Sequence, residues 1–186
     1  MRTYRADEAC SFRFSRAEWG EFSNFCPLPR PIPAGPWLFP TSEHLYQAAK
    51  FPTAPEIQEH ISIVAEARDA ARLGRNPNFP CNPRWTEHRV DAMRWVIRRK
   101  LETLPDWMGA ILLRTGERPI VEISTRDRYW GARPEAPPGG NVYRGHNVLG
   151  RLWMELRQHA RDDDPLRHSE AWLPRIRVGK LAKPPA

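Results

Sequence analysis

Glu43, Gln47 and Lys50 recur at intervals of four and three residues within the stretch Trp37 to Phe51, WLFPTSEHLYQAAKF. At about 100° per residue on an α-helix, Gln47 and Lys50 fall within about 40° of Glu43, while Leu45, Ala48 and Ala49 point to the opposite side. An acid, an amide and an amine thus share one face. A placed carboxyl can move a proton, and a lysine that loses its proton on desolvation becomes a nucleophile. The same spacing also describes an ordinary amphipathic helix with a solvated polar face. Lysine is nevertheless a scarce choice here, since only 4 of the 29 basic residues are Lys and the other 25 are Arg.

Aromatic residues stand beside polar ones in three further places: Glu21-Phe22-Ser23-Asn24-Phe25, Arg84-Trp85 and Asp127-Arg128-Tyr129-Trp130-Gly131. A carboxylate just before an aromatic-Gly turn suits a planar ligand, and a core lid is the alternative use of such a Trp. The histidines at 44, 60, 88, 146, 159 and 168 are scattered and form neither H-E-x-x-H nor a Cys/His cluster. No metal and no cofactor is therefore expected. Cys10, Cys26 and Cys81 are odd in number and widely spaced, which indicates free thiols and no disulfide framework.

These residues need elements to hold them. Pro-rich stretches at 27–40, 134–138 and from Pro165 to Ala186 read as loops, edges or tail, because proline disfavours helix interiors and central strands. Helices are predicted between them. The first spans Ser42 to Phe51, with Thr41 or Ser42 as N-cap and Pro52 as the stop. The second runs from Pro55 to Leu73, with Gly74 as its C′ residue. A third begins after Thr86 and carries Val90, Met93, Ile97, Leu101 and Leu104 at spacings of three and four. A fourth runs from Pro105 to Leu113, and a last from His146 to Arg161 places Leu149, Leu152, Trp153 and Leu156 on one side. Short strands are predicted at Phe12–Phe14, Trp37–Phe39 and Pro119–Ser124. The expected fold is α+β, a mostly helical single domain over residues 1–164, followed by a Pro/Arg-rich tail over 165–186.

The 186 residues carry a formal charge of +7 and are 40% hydrophobic, with 8 Trp, so the chain should fold and can accept an anionic ligand. No apolar run approaches the roughly 20 residues of a membrane span, and the charged start lacks a signal-peptide core, so a cytoplasmic protein without membrane contact is expected.

Taken in order, Phe22-Ser23-Asn24-Phe25, Thr41-Ser42-Glu43-His44 with Tyr46-Gln47-Ala48 and Lys50-Phe51, Leu73-Gly74-Arg75, Trp85 with Met93 eight residues on, Asp127 with Trp130-Gly131, and Asn147, Leu149-Gly150, Leu152, Met154 and Arg157 resemble the NADAR superfamily. Its bacterial YbiA-like members are N-glycosidases. The resemblance covers residues 12 to 160 and implies the YbiA-like α+β fold and cleavage of an N-glycosidic bond between a ribose carbon and a base or amine nitrogen. It implies as substrates phosphoribosylamino intermediates of riboflavin biosynthesis, or guanine-linked ADP-ribose in nucleic acid. Two features depart from the family pattern. Arg84 stands where an acid usually precedes the Trp, and Ala132 to Gly145 inserts ARPEAPPGGNVYRG where a short Gly-rich loop is usual.

Cleavage of a ribosyl C1′–N bond builds positive charge on the sugar and negative charge on the leaving nitrogen. Glu43 and Asp127 are the candidate carboxyls, and Lys50 the candidate nucleophile or close stabiliser. Asn24, Phe25, His44, Gln47, Arg75, Trp85, Trp130, Gly131 and Asn147 are the candidate substrate contacts, Arg75 for a phosphate and the two Trp for stacking. The expected partner is a small phosphoribosyl or ADP-ribosyl compound, or ADP-ribosylated nucleic acid. The competing class is a non-catalytic basic module that binds ADP-ribose or nucleic acid, with Arg175, Arg177, Lys180 and Lys183 in the tail adding phosphate affinity.

Overall fold

The computed structural model describes residues 1–135 and 141–161. The tail at 165–186, the end of the expected domain at 162–164 and residues 136–140 of the insertion lie outside them. Along the chain run β1 (Arg2–Arg5), β2 (Cys10–Phe12), a 3-10 turn (Gly20–Phe22), β3 (Ile32–Ala34), β4 (Trp37–Phe39), α1 (Ser42–Ala48), α2 (Pro55–Ile63), α3 (Ala67–Leu73), α4 (Trp85–Thr103), α5 (Pro105–Arg114), β5 (Ile120–Glu122), β6 (Ala132–Glu135), β7 (Val142–Gly145) and α6 (Val148–Arg161). Among the described residues, six helices and seven short strands make an α+β fold. The described residues fall into two compact units, one built from 1–26 and 104–161 and the other from 27–103.

In the first unit, β1 pairs antiparallel with β7, which pairs antiparallel with β6, and β2 runs parallel to β5. The insertion after Trp130-Gly131 therefore contributes strands, a use its composition did not suggest. Its pairing partner is the amino-terminal strand, more than a hundred residues away, and local sequence carries no record of such a partner. On α6, Leu149, Leu152, Trp153 and Leu156 are all buried, as their spacing predicts. Trp153 meets Phe22 edge-on at 5.2 Å and donates its indole N–H to the Phe22 carbonyl at 3.1 Å. A fully buried aromatic of this kind contributes roughly 1.5–3 kcal/mol.

In the second unit, β3 and β4 form a two-stranded antiparallel ribbon. β3 was not expected, because Pro33 lies within it; a two-stranded ribbon is all edge, where a residue without an N–H is tolerated. α2, like α5 of the first unit, opens on proline, the position at which its missing N–H costs nothing. α4 starts one residue before Thr86 and buries Ala92, Met93, Val96 and Ile97. The predicted helix over 55–73 is two helices. Val64 (φ −66°, ψ 144°) and Glu66 (φ −110°, ψ 136°) are extended, and the break turns the Val64 carbonyl toward His44. Tertiary pairing overrides the local helical preference there.

α1 departs most from its sequence reading. Every side chain from Ser42 to Ala48 is buried, Glu43 and Gln47 included. The polar face seen in the periodicity is packed inside the unit, where α1 adjoins α2, α3, α4 and the ribbon. Among the described residues no helix is long and apolar enough to cross a membrane.

Candidate active site

The Thr41 hydroxyl caps α1 by accepting the backbone N–H of His44 at 3.4 Å. Glu43 lies in the first turn and Gln47 one turn on. The Gln47 side-chain N–H donates to Glu43 Oε1 at 2.7 Å, and the two residues are only 6% and 3% exposed. Burial pushes the Glu43 carboxyl up from its ordinary value, against the opposing pull of the Gln47 donor, Lys50 and Arg75. Desolvation dominates because a buried carboxylate keeps only one donor in place of its water shell.

Lys50 follows the end of α1. Its ammonium nitrogen donates to the Gly74 carbonyl at 3.0 Å and lies 5.9 Å from the Tyr46 ring and 5.8 Å from the Trp85 ring. Those two rings are 5.2 Å apart, tilted at 58°. Burial lowers the Lys50 amine from its ordinary value, Glu43 and Cys81 oppose the shift, and Arg75 adds to it. The environment thus moves acid and amine toward their neutral forms, an acid that can donate a proton and an amine that can attack carbon. Divergent shifts of neighbouring groups are a mark of functional sites.

Within one unit, Gln47 bonds to Glu43, Lys50 and Arg75 act on it through their charge, and Trp85 lies beside Lys50. Arg75 is exposed and acts on both reacting groups through its charge. Arg84, the departure beside Trp85, pairs with Glu87 at 2.8 Å on the surface.

His44 has a different occupation from the substrate contact expected of it. It is fully buried; since the Val64 carbonyl can only accept, Nε2–H donates to it at 3.0 Å, and Nδ1 meets the Thr41 hydroxyl at 2.8 Å. Burial lowers its basicity, in keeping with a neutral ring. His44 staples the start of α1 to the end of α2.

Asp127, Trp130, Gly131, Asn147, Asn24 and Phe25 belong to the first unit. Asp127 is exposed, and its Oδ1 accepts the backbone N–H groups of Tyr129 and Trp130 at 2.8 and 2.9 Å, organising the turn that precedes Gly131. Trp130 is half-buried against Tyr129. At Gly131 a Cβ would stand 2.7 Å from the Glu122 carbonyl oxygen, so this glycine serves close backbone packing. Asn147 is fully buried with φ 48°; its amide accepts from Glu122 N–H at 3.0 Å and donates to the Ile120 carbonyl at 2.9 Å. That clamp between β5 and the start of α6 occupies the side chain expected to meet substrate. Asn24 is buried, and Phe25 is 43% exposed.

Three neighbours of Lys50 were not singled out in the sequence as site residues: Tyr46, Gly74 and Cys81. Tyr46 was accessible, since it stands four residues before Lys50, the spacing at which side chains meet on a helix. Gly74 and the exposed Cys81 were not, because the chain brings them to Lys50 from loops of other elements. All three cysteines are free. Among the described residues no three His, Cys, Asp or Glu side chains gather as a metal ion would require.

The chain is similar to known proteins over most of its length. The model of the NADAR domain matches residues 11–161. The N-glycosidase YbiA of Shigella boydii serotype 4 is 37% identical over 152 residues, covering 82% of this chain and 88% of that protein. The chloroplastic riboflavin biosynthesis protein PYRR of Zea mays is 37% identical over 151 residues, covering 75% of this chain but 23% of that protein. The NMR structure of the E. coli protein YbiA superposes with a TM-score of 0.69 at 33% identity, covering 88% of this chain and 90% of that one.

Proposed function

The chain belongs to the NADAR domain family, and on that premise we propose that Glu43 and Lys50 carry out the hydrolysis of an N-glycosidic bond to ribose. The protein is an N-glycosidase with a small ribosyl substrate, as the names of its relatives support. The observation that carries the assignment of residues is the burial of an acid and an amine within one short segment, each moved toward its neutral form.

Neutral Glu43 gives its proton to the leaving nitrogen while the Lys50 amine forms a bond to C1′, and the C1′–N bond to the base breaks. The ring C1′–O4′ bond then opens, leaving an iminium between C1′ and Lys50, with a proton passing to O4′. Water adds at C1′, the bond to Lys50 breaks with the water's second proton returning to Glu43, the neutral amine is regenerated and ribose recloses. The Gly74 carbonyl holds one amine N–H throughout, which orients the nitrogen. Trp85 and Tyr46 offer ring faces to the leaving base, a contact worth about 1–3 kcal/mol, and Arg75 a bidentate contact to phosphate. Asp127, the second carboxyl expected from the sequence, belongs to the first unit, and its substitution tests that expectation.

The name of the maize relative favours a phosphoribosylamino compound of riboflavin biosynthesis as the substrate; guanine-linked ADP-ribose is the other N-riboside the family resemblance suggests. Incubation with each, followed by chromatography of the released sugar phosphate or ADP-ribose, tests the reading. Release from either, lost in Glu43→Gln, supports it. Tight, salt-sensitive binding of plain DNA with no release from either compound would overturn it in favour of a binding module.

A further inference from the structure

Gly74 touches both reacting groups of the proposed pair, one directly and one through Gln47. Its carbonyl accepts from Lys50 Nζ at 3.0 Å. A Cβ built on it would stand 1.9 Å from Gln47 Oε1, 2.7 Å from Cδ and 2.9 Å from Cβ. The Gln47 amide therefore occupies the volume that the side chain of any other residue at 74 would need. The backbone of Gly74 (φ −66°, ψ −6°) is open to every residue type, so the left-handed C′ role expected from sequence does not apply. Glycine is required here for space. The amide beside it is buried, bonded through Nε2 to Glu43, and its Oε1 has no hydrogen-bond partner among the described residues. It is located by Glu43 at one end and by the bare Cα of Gly74 at the other.

We propose that Gly74 is the positioning residue of this site, seating the Gln47 amide against Glu43 by lacking a side chain and holding the Lys50 amine by its carbonyl. This rests on the reading of Glu43 and Lys50 as the reacting groups. A methyl at position 74 forces one of two adjustments. Either the Gln47 amide swings away and Glu43 loses its donor, or the end of α3 retreats and Lys50 loses its acceptor. The 2.9 Å approach to Gln47 Cβ, an atom fixed to the frame of α1, leaves little room for a third.

The test compares Gly74→Ala, Gln47→Ala, the double variant and Glu43→Gln with wild type, measuring kcat and KM across pH on whichever of the two N-ribosides the wild type cleaves. Gly74→Ala is expected to lose roughly tenfold to a hundredfold in kcat, the scale of one or two hydrogen bonds to charged groups, with KM little changed. The Glu43 limb of its pH profile should move to higher pH, because the displaced donor favoured the carboxylate, and Gln47→Ala should move it the same way. The double variant should match Gln47→Ala within about threefold, since the methyl added at position 74 then has its room. A Gly74→Ala profile in which neither the Glu43 limb nor the Lys50 limb moves, or a double variant whose losses multiply those of the singles, overturns the proposal. If Gly74→Ala fails to fold, the Gln47→Ala background carries the comparison, and a double variant far below Gln47→Ala is the overturning result. Full activity in Glu43→Gln sinks the choice of reacting groups and this inference with it; an inactive Glu43→Gln beside an unaffected Gly74→Ala sinks the inference alone.

Discussion

Gln47 donates its side-chain amide to Glu43 at 2.7 Å, one turn apart on a helix whose side chains are all buried. On an exposed helix such a pair contributes a few tenths of a kcal/mol. Inside the unit it is the nearest replacement for the water that Glu43 has lost, and it does not offset that loss, since the carboxyl remains raised.

The raised carboxyl makes Glu43 a liability for stability and an asset for catalysis. Between the ordinary glutamate value of about 4.3 and the raised native value, the folded state binds the proton more tightly than the unfolded state. Stability therefore falls as pH rises through that window. Glu43→Gln removes the dependence while keeping an acceptor for Gln47. It should melt above wild type at pH 7 and higher, with the gap closing toward pH 4, and should lose roughly a hundredfold or more in kcat. Thermal unfolding across pH checks the first expectation, and a gap independent of pH would contradict it.

Lys50 is lowered by burial, so its neutral fraction grows as pH rises, and the rate should climb with it on that side of the profile. Borohydride added during turnover should fix the sugar to Lys50, seen as a mass increase on its peptide. Lys50→Arg keeps the charge and cannot form the adduct; its kcat should fall by about 10²–10⁴. Normal turnover in this variant, with no adduct on wild type, rules out the covalent route.

His44→Ala strands the Val64 carbonyl, takes from the Thr41 hydroxyl its ring partner and leaves a cavity. The expected cost is about 2–4 kcal/mol, measured by urea unfolding, with KM unchanged below the transition. An unchanged midpoint accompanied by a large rise in KM would make His44 a substrate contact after all.

Asp127→Asn separates turn-making from chemistry. The amide retains an oxygen for the Tyr129 and Trp130 N–H groups, so stability should hold within about 0.5 kcal/mol, while a charge-stabilising role predicts a loss of at least roughly tenfold in kcat. Full activity would leave Asp127 with its turn alone.

Much of this was legible in the linear chain. The spacing of Leu149, Leu152, Trp153 and Leu156 marked α6, the prolines at 55 and 105 marked two helix starts, and the interval between Glu43 and Gln47 put them one turn apart on α1, while the expected helix stops at Ala48, short of Lys50. Co-linear motifs carried the family and its reaction. His44 and Asn147 were legible as important and not as structural, because a polar side chain in a motif looks the same whether it meets a ligand or a distant backbone.

Residue types and their periods determine which elements form and which groups share a side, because both are set by contacts within a few residues along the chain. Whether the polar side of α1 meets water or protein depends on what α2, α3, α4 and the ribbon bring against it, and those arrive from elsewhere in sequence. That arrangement decided that Glu43 is desolvated, that the backbone breaks at Val64 to meet His44, and that the amide of Gln47 lies on a bare glycine. The chemistry follows from the tertiary structure because the energy of a charge is set by its surroundings, and surroundings are assembled only when the chain folds.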